Sequence, residues 1–177
     1  QSTIAIAGGG ENFSRGAYAQ TGMRWGVTRG RQSLEDTVEW AYSDPFGHGL
    51  MGATAENLAE DFQYRREDMD AWGLMSQQRA GAAIESGFLA KQIAPIEVPE
   101  GRKGTRLMET DEFPRPDITT EKLAKLPAVF RKGGQVTPGN SSGVTDGAAW
   151  VVVGDRSALE AEGVAPRARL VDWAIVG

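Results

Sequence analysis

Few residues in this chain could do covalent chemistry. There is no Cys anywhere in its 177 residues and a single His, His48. That excludes a cysteine nucleophile, disulfides and thiolate metal sites. A Ser-His-Asp triad would have only His48 to draw on, and a zinc site built on several imidazoles is excluded. What remains is chemistry of binding. The run from Gly133 to Gly147 packs Thr137, Asn140, Ser141, Ser142, Thr145 and Asp146 among five glycines and Pro138. Short polar side chains of this kind bond to backbone in turns, and glycine lets backbone come close to a ligand. Two readings stay open from composition alone: a well-made turn, which the composition favours, or a ligand platform. Cations cluster at Arg102, Lys103 and Arg106, with Arg115 further on. For the first three a solvated surface turn is the simpler reading.

The surrounding elements follow from hydrophobic period and turn residues. Ser2 to Ala7 reads as a short buried strand that Gly8-Gly9-Gly10 should end sharply. Leu34 to Tyr42 reads as a short helix. Gly52 to Gln63 reads as a helix with Thr54 as its cap and an apolar stripe of Ala55, Leu58, Ala59 and Phe62. Glu56 and Asn57 fall in its polar first turn. Arg66 to Ser86 reads as the longest helix, with Met69, Trp72, Ser76, Ala80 and Ala83 on one face and Gly87 as its stop. Gln92 to Val98 and Thr105 to Met108 read as a hairpin. Thr119 to Lys125 reads as a short helix capped by Thr119 or Thr120. Ala148 to Val153 lacks a helical period and suits a buried strand. Arg156 to Glu162 reads as a helix stopped at Gly163, and Arg169 to Gly177 as a final strand.

Composition sets the class. Apolar residues make up 40 % and charged residues 24 %, as in an ordinary globular domain with a sizeable core. A net charge of −5 argues against generic nucleic-acid binding. No apolar run approaches the roughly 18 residues of a membrane span, and no leader pattern opens the chain. A cytoplasmic setting is the corresponding expectation. Sheet-like segments at both ends suggest a piece of something larger.

Five segments, in order, resemble motifs of the thiolase family, the acyl-CoA C-acyltransferases. They are Ala7 to Ser14, Met51 to Asn57, Arg66 to Ala80, Asp111 to Pro116 and Val136 to Ala149. The resemblance implies a partial thiolase-like layered α/β sheet fold with an inserted mixed α+β loop domain. On that reading residues 1–13 end a core strand, 14–133 form a loop domain that covers coenzyme A (CoA), and 134–177 return to the core. It implies an enzyme performing thioester exchange, and Claisen condensation or thiolysis of a 3-oxoacyl-CoA with CoA, through segments with a Cys, a His and a second Cys. This chain would hold the CoA-binding part and be inactive alone. The rival is a non-catalytic thiolase-like protein that holds acyl-CoA.

By resemblance, Ser142 would bond the pantetheine amide and Val144 would wall the pantetheine arm. Met51 would line the acyl tunnel, Arg115 would lie near the nucleotide phosphate, and Phe130 would pack on the adenine or pantetheine side. No catalytic residue and no metal ligand is expected here. CoA thioesters are expected as substrates rather than as a permanently bound cofactor. The expected partners are the remainder of a thiolase chain and further copies, as a dimer or tetramer, with no nucleic acid and no membrane span. Relatives carry a His directly before the Met51 run, where this chain has Leu50. His48 lies two residues earlier and reads as a loop histidine. Gly10, Arg65, Pro138 and Trp150 are further departures, and Arg65 deprives the long helix of its usual Ser cap.

Overall fold

A computed structural model describes residues 2–27 and 29–175, with Lys103 through its backbone alone. The architecture is mixed α/β with small antiparallel sheets. The chain divides into two compact units, residues 1–15 with 145–177, and residues 16–144. The sequence reading starts the return to the core at residue 134. Spatially, residues 134–144 group with residues 16–133.

In the first unit, β1 (Ile4–Glu11) pairs antiparallel with β8 (Gly147–Gly154), in a register that sets Gly8 opposite Trp150 and Glu11 opposite Gly147. The three glycines expected to end the strand lie inside it. The reason is visible at Gly8: a Cβ there would sit 2.6 Å from the Trp150 ring and 2.2 Å from the Ala149 carbonyl oxygen. Glycine makes room for the indole. Both strands were expected to be buried. Instead Ile6, Trp150, Val151 and Val152 are each more than half exposed. Among the described residues this ribbon has two strands, so each strand is hydrogen-bonded along one edge. Helix α5 (Arg156–Ala161) follows and buries Leu159. It stops at Gly163, which takes a left-handed φ of 71° that only glycine adopts at no steric cost. The final strand expected at Arg169 to Gly177 is absent: residues 169–175 have no regular structure and bond to no ladder, while Val176 and Gly177 lie outside the described residues.

In the second unit, β2 (Tyr18–Ala19) pairs with β3 (Glu35–Asp36). Helix α1 (Thr37–Ala41) is capped by Asp36, whose side chain accepts from the Val38 amide. Strands β4 (Ser43–Asp44) and β5 (Gly49–Leu50) form a tight hairpin with His48 at its turn. The imidazole is exposed, with Nε2 3.7 Å from an Asp44 carboxylate oxygen, as suits a loop histidine.

Helices α2 (Met51–Asp61) and α3 (Arg66–Glu85) carry the candidate site. Their extents match expectation but their faces do not. The residue capping α2 is Leu50, with no side-chain bond, so Thr54 is an interior residue. Leu58 and Phe62 are exposed, and Phe62 stacks on Tyr64; the buried positions are Glu56 and Ala59. On α3, Trp72 is exposed at 68 %, and the inward stripe runs through Arg66, Asp70, Gly73, Gln77 and Gly81. An apolar-period search rotates both helices because their inward positions hold polar and glycine residues.

Strands β6 (Ile96–Pro99) and β7 (Thr105–Met108) form the expected hairpin, with Ile96 opposite Met108. Arg106 pairs with Glu112 at 2.6 Å, while the Lys103 side chain lies outside what is described. Helix α4 (Thr120–Ala124) is capped by Thr119, whose hydroxyl accepts from the Lys122 amide. Leu123 of α4 is 1 % exposed. Among the described residues no helix is long and apolar enough to cross a membrane.

Candidate functional site

Two buried carboxylates anchor the loop before Ser142. The first is Glu56, in the second turn of α2 and 2 % exposed. Its oxygens accept from the Gln135 amide at 2.9 and 3.0 Å and from the Val136 amide at 2.8 Å. Charge-assisted bonds of this kind are what allow a carboxylate to leave water. Gly134 is part of the fit, since a Cβ there would lie 2.2 Å from a Glu56 oxygen. On the same helix Asn57 and Glu60 accept from the Arg131 guanidinium at 2.5 and 2.8 Å. The turn from Arg131 to Val136 is therefore held against α2 by its own backbone and one arginine.

The second carboxylate is Asp70 on α3, 4 % exposed. One oxygen accepts from Arg66 Nε at 2.8 Å and the other from Asn140 Nδ2 at 3.0 Å. Arg66 also donates from Nη2 to the Leu123 and Leu126 carbonyls at 2.8 and 2.9 Å. Carbonyls at a helix end lack partners within the helix, and a guanidinium supplies them. Asn140 donates further to the Gln135 carbonyl at 3.0 Å and accepts from the Thr137 amide at 2.8 Å. Thr137 is wholly buried, and its carbonyl accepts from the Ser141 hydroxyl at 2.8 Å. Gly73 faces this loop directly: a Cβ there would be 2.7 Å from the Gly139 carbonyl oxygen.

Beyond Ser141 the anchoring stops. Ser142 is exposed, and among the described residues no hydrogen bond engages its hydroxyl. Val144 is 60 % exposed. Between them Gly143 lies on the Phe113 ring, whose nearest atom would be 2.3 Å from an added Cβ. That contact brings the Ser142–Val144 segment to the segment carrying Arg115. Arg115 spends Nη1 on the carbonyls of Glu112, Phe113 and Pro114, at 2.6, 2.7 and 3.0 Å. Its backbone amide donates to Gln77 on α3 at 2.6 Å. The guanidinium is exposed and so both stiffens its own turn and presents charge to solvent.

Met51 and Phe130 form a second pairing of elements. Met51 opens α2 and is half exposed. The Phe130 ring covers Gly52, where an added Cβ would come within 2.2 Å of it. Of the five residues singled out from the sequence, Ser142, Val144 and Arg115 thus meet through Gly143 and Phe113, and Met51 and Phe130 meet through Gly52. A shallow cavity of about 260 Å³ lies elsewhere, between Glu56, Glu60, Arg131 and Gly134.

Residues 1–157 match the thiolase N-terminal domain. The chain belongs to the thiolase family. It is 44 % identical to the β-ketoadipyl-CoA thiolase of Pseudomonas aeruginosa over 98 % of its own length, and spans 44 % of that relative. The structure superposes on acetyl-CoA acetyltransferase of Bacillus anthracis with a TM-score of 0.85 at 42 % identity, covering 93 % of this chain and 42 % of that one. Human mitochondrial 3-ketoacyl-CoA thiolase in complex with CoA gives a TM-score of 0.82 at 38 % identity, covering 93 % and 40 %. The thiolase-like α/β fold expected from the sequence is thus shown.

Glu56, Arg66, Asp70 and Asn140 fall within the thiolase-like motifs, yet nothing local in the sequence marks them as supports of this loop. The signal lies in spacing instead. Arg66, Asp70, Gly73, Gln77 and Gly81 recur at helical spacing and face inward, although none is a large apolar residue. Glu56 in the first turns of α2 had an adequate local explanation in the helix dipole.

Proposed function

We propose that this chain supplies the CoA-binding part of an acyl-CoA C-acyltransferase, which exchanges acyl groups between CoA thioesters and makes or cleaves the carbon–carbon bond of a 3-oxoacyl-CoA. The observation carrying this reading is the Ser142 hydroxyl: exposed and uncommitted, at the end of a loop otherwise held by buried carboxylates. A hydroxyl that can donate and accept suits the amide groups of a pantetheine arm. Val144 lines that arm, Phe130 packs on its adenine or pantetheine side, and Met51 lines the acyl tunnel, where a soft thioether adapts to chain shape. Arg115 offers a pre-stiffened cation to the nucleotide phosphate.

CoA is here a substrate and not a resident cofactor. With no Cys in this sequence, the nucleophilic thiol, its histidine and the second cysteine belong to segments outside it. This chain then binds and orients, and is inactive alone. The complete enzyme works in the cytoplasm as a dimer or tetramer.

The test uses the complete protein, titrated with CoA and assayed for thiolysis of acetoacetyl-CoA. Binding together with turnover is expected. Ser142→Ala should raise KM for CoA about tenfold, the worth of one hydrogen bond. CoA binding with no turnover on any 3-oxoacyl-CoA would favour a non-catalytic acyl-CoA-binding protein. No CoA binding at all would end both readings.

A further inference from the structure

We infer that Asp70 and Asn140 are positioning residues for the CoA site: the buried carboxylate on α3 fixes the Asn140 amide, and with it the place of the Ser142 hydroxyl two residues on. This rests on the CoA reading of Ser142 and adds what holds that residue.

The Asn140 side chain can be satisfied in one orientation only. Its Oδ1 accepts from the Thr137 amide, while Nδ2 donates to Asp70 and to the Gln135 carbonyl. Flipping the amide would set a donor against a donor and an oxygen against two oxygens. Asp70 is held in turn by Arg66, which also ties down the end of α4 through the Leu123 and Leu126 carbonyls. The chain of bonds therefore runs from α4 through Arg66 and Asp70 to Asn140, and every side chain in it is at least part-buried. Glu56 clamps the entry of the same loop at Gln135 and Val136. Gly73 lets α3 come within contact of the Gly139 carbonyl. Buried polar networks that are fully satisfied fix one geometry, because each partial loss leaves a desolvated group unpaired. An exposed hydroxyl on a loop gains affinity when its position is set before the ligand arrives.

The experiment uses the complete protein and three variants beside wild type. Asn140→Ser is neutral and too short to reach Asp70. Asn140→Asp sets a carboxylate against Asp70 and the Gln135 carbonyl. The double variant Asp70→Asn with Asn140→Asp exchanges the two groups. The amide now on α3 can accept from Arg66 and donate to the carboxylate now on the loop, though that carboxylate still meets the Gln135 carbonyl. Asn140→Ser should speed amide hydrogen exchange across residues 137–142 and raise KM for CoA about tenfold, with kcat changed less than about threefold. Asn140→Asp should be worse, and the exchanged pair should recover part of that loss. If Asn140→Asp does not fold, Asn140→Ser and the exchanged pair carry the comparison. Unchanged exchange and KM in Asn140→Ser, or no recovery in the exchanged pair, overturns the inference. If Ser142→Ala raises KM while Asn140→Ser does not, the inference fails and the CoA reading stands. If neither moves KM, the CoA reading has failed and takes the inference with it.

Discussion

The Asp146 carboxylate accepts from both the backbone amide and the hydroxyl of Ser14, 132 residues away in the sequence. The pair closes the end of the β1–β8 ladder, just beyond the last matched residues, Glu11 and Gly147. The Ser14 hydroxyl first, and then its amide, hold the Asp146 carboxyl below the usual carboxylate range. A depressed folded value means that the ionised form is favoured on folding. The clasp is therefore at full strength above the ordinary carboxylate pKa, about 4, and is lost as pH falls through the lower folded value. Ser14→Ala should move the Asp146 titration up toward the ordinary range, read by carboxyl-carbon NMR. An unmoved titration would mean that the serine does not set it.

Local signals recovered most element boundaries, and long-range ones were what the sequence hid. The Thr119 cap and the Gly163 stop are decided within a few residues and lie where expected, while the β6–β7 hairpin forms with β6 beginning at Ile96 rather than Gln92. Gly8 to Gly10 read as a turn because their reason is Trp150, on a strand far along the chain. Trp72 read as inward because an aromatic normally is, yet its face of α3 is open and the inward face is paved with Arg66, Asp70 and Gly73. The same holds for the site. The Gly139 to Gly143 run marks the proposed loop in the sequence, while the supports of that loop, Glu56 and Asp70, depend on partners 80 and 70 residues away.

Removing the Glu56 carboxylate should unseat the loop from α2. Glu56→Ala leaves the Gln135 and Val136 amides without the acceptor they share. A buried donor left unsatisfied costs about 1–3 kcal/mol. Glu56→Gln keeps one acceptor oxygen but turns a donor toward the remaining amide, so it should cost less than Glu56→Ala without matching wild type. Urea unfolding of the complete protein measures both. Equal midpoints for Glu56→Ala and wild type would mean that water replaces the carboxylate freely.

Gly52 and Phe130 should behave as a coupled pair. Alanine at 52 would drive its methyl group into the Phe130 ring, whose atoms would lie 2.2 to 2.4 Å away. Overpacking of this kind costs about 1–3 kcal/mol. Phe130→Ala removes the obstacle, and in that background Gly52→Ala should become favourable, since alanine exceeds glycine in a helix by about 1 kcal/mol. A double-mutant cycle on thermal stability checks the reversal of sign. Simple additivity would show that the ring moves aside at no cost. The same variants bear on the acyl side of the proposed site, because Met51 precedes Gly52 at the opening of α2.

The N-terminus of α3 is the place where stability can be added. Arg65 stands at the cap position and makes no side-chain capping bond. It pairs with Asp68 instead, through Nε and Nη2 at 2.9 and 2.8 Å, on an open surface. The Arg65 guanidinium, by that hydrogen bond, lowers the Asp68 pKa. Such an exposed pair is screened by water and salt and adds little. Arg65→Ser exchanges it for an oxygen that can accept from the Asp68 amide, the third residue of the helix, and leaves Glu67 and Asp68 to complement the dipole. Tm should rise by about 2–4 °C. Arg65→Ala separates the two contributions, because it loses the pair and gains no cap. It should melt slightly below wild type in low salt and level with it at about 1 M salt, where screening has removed the pair. If Arg65→Ser melts no higher than Arg65→Ala, the helix start has no use for a cap, and the guanidinium of Arg65 is the better occupant.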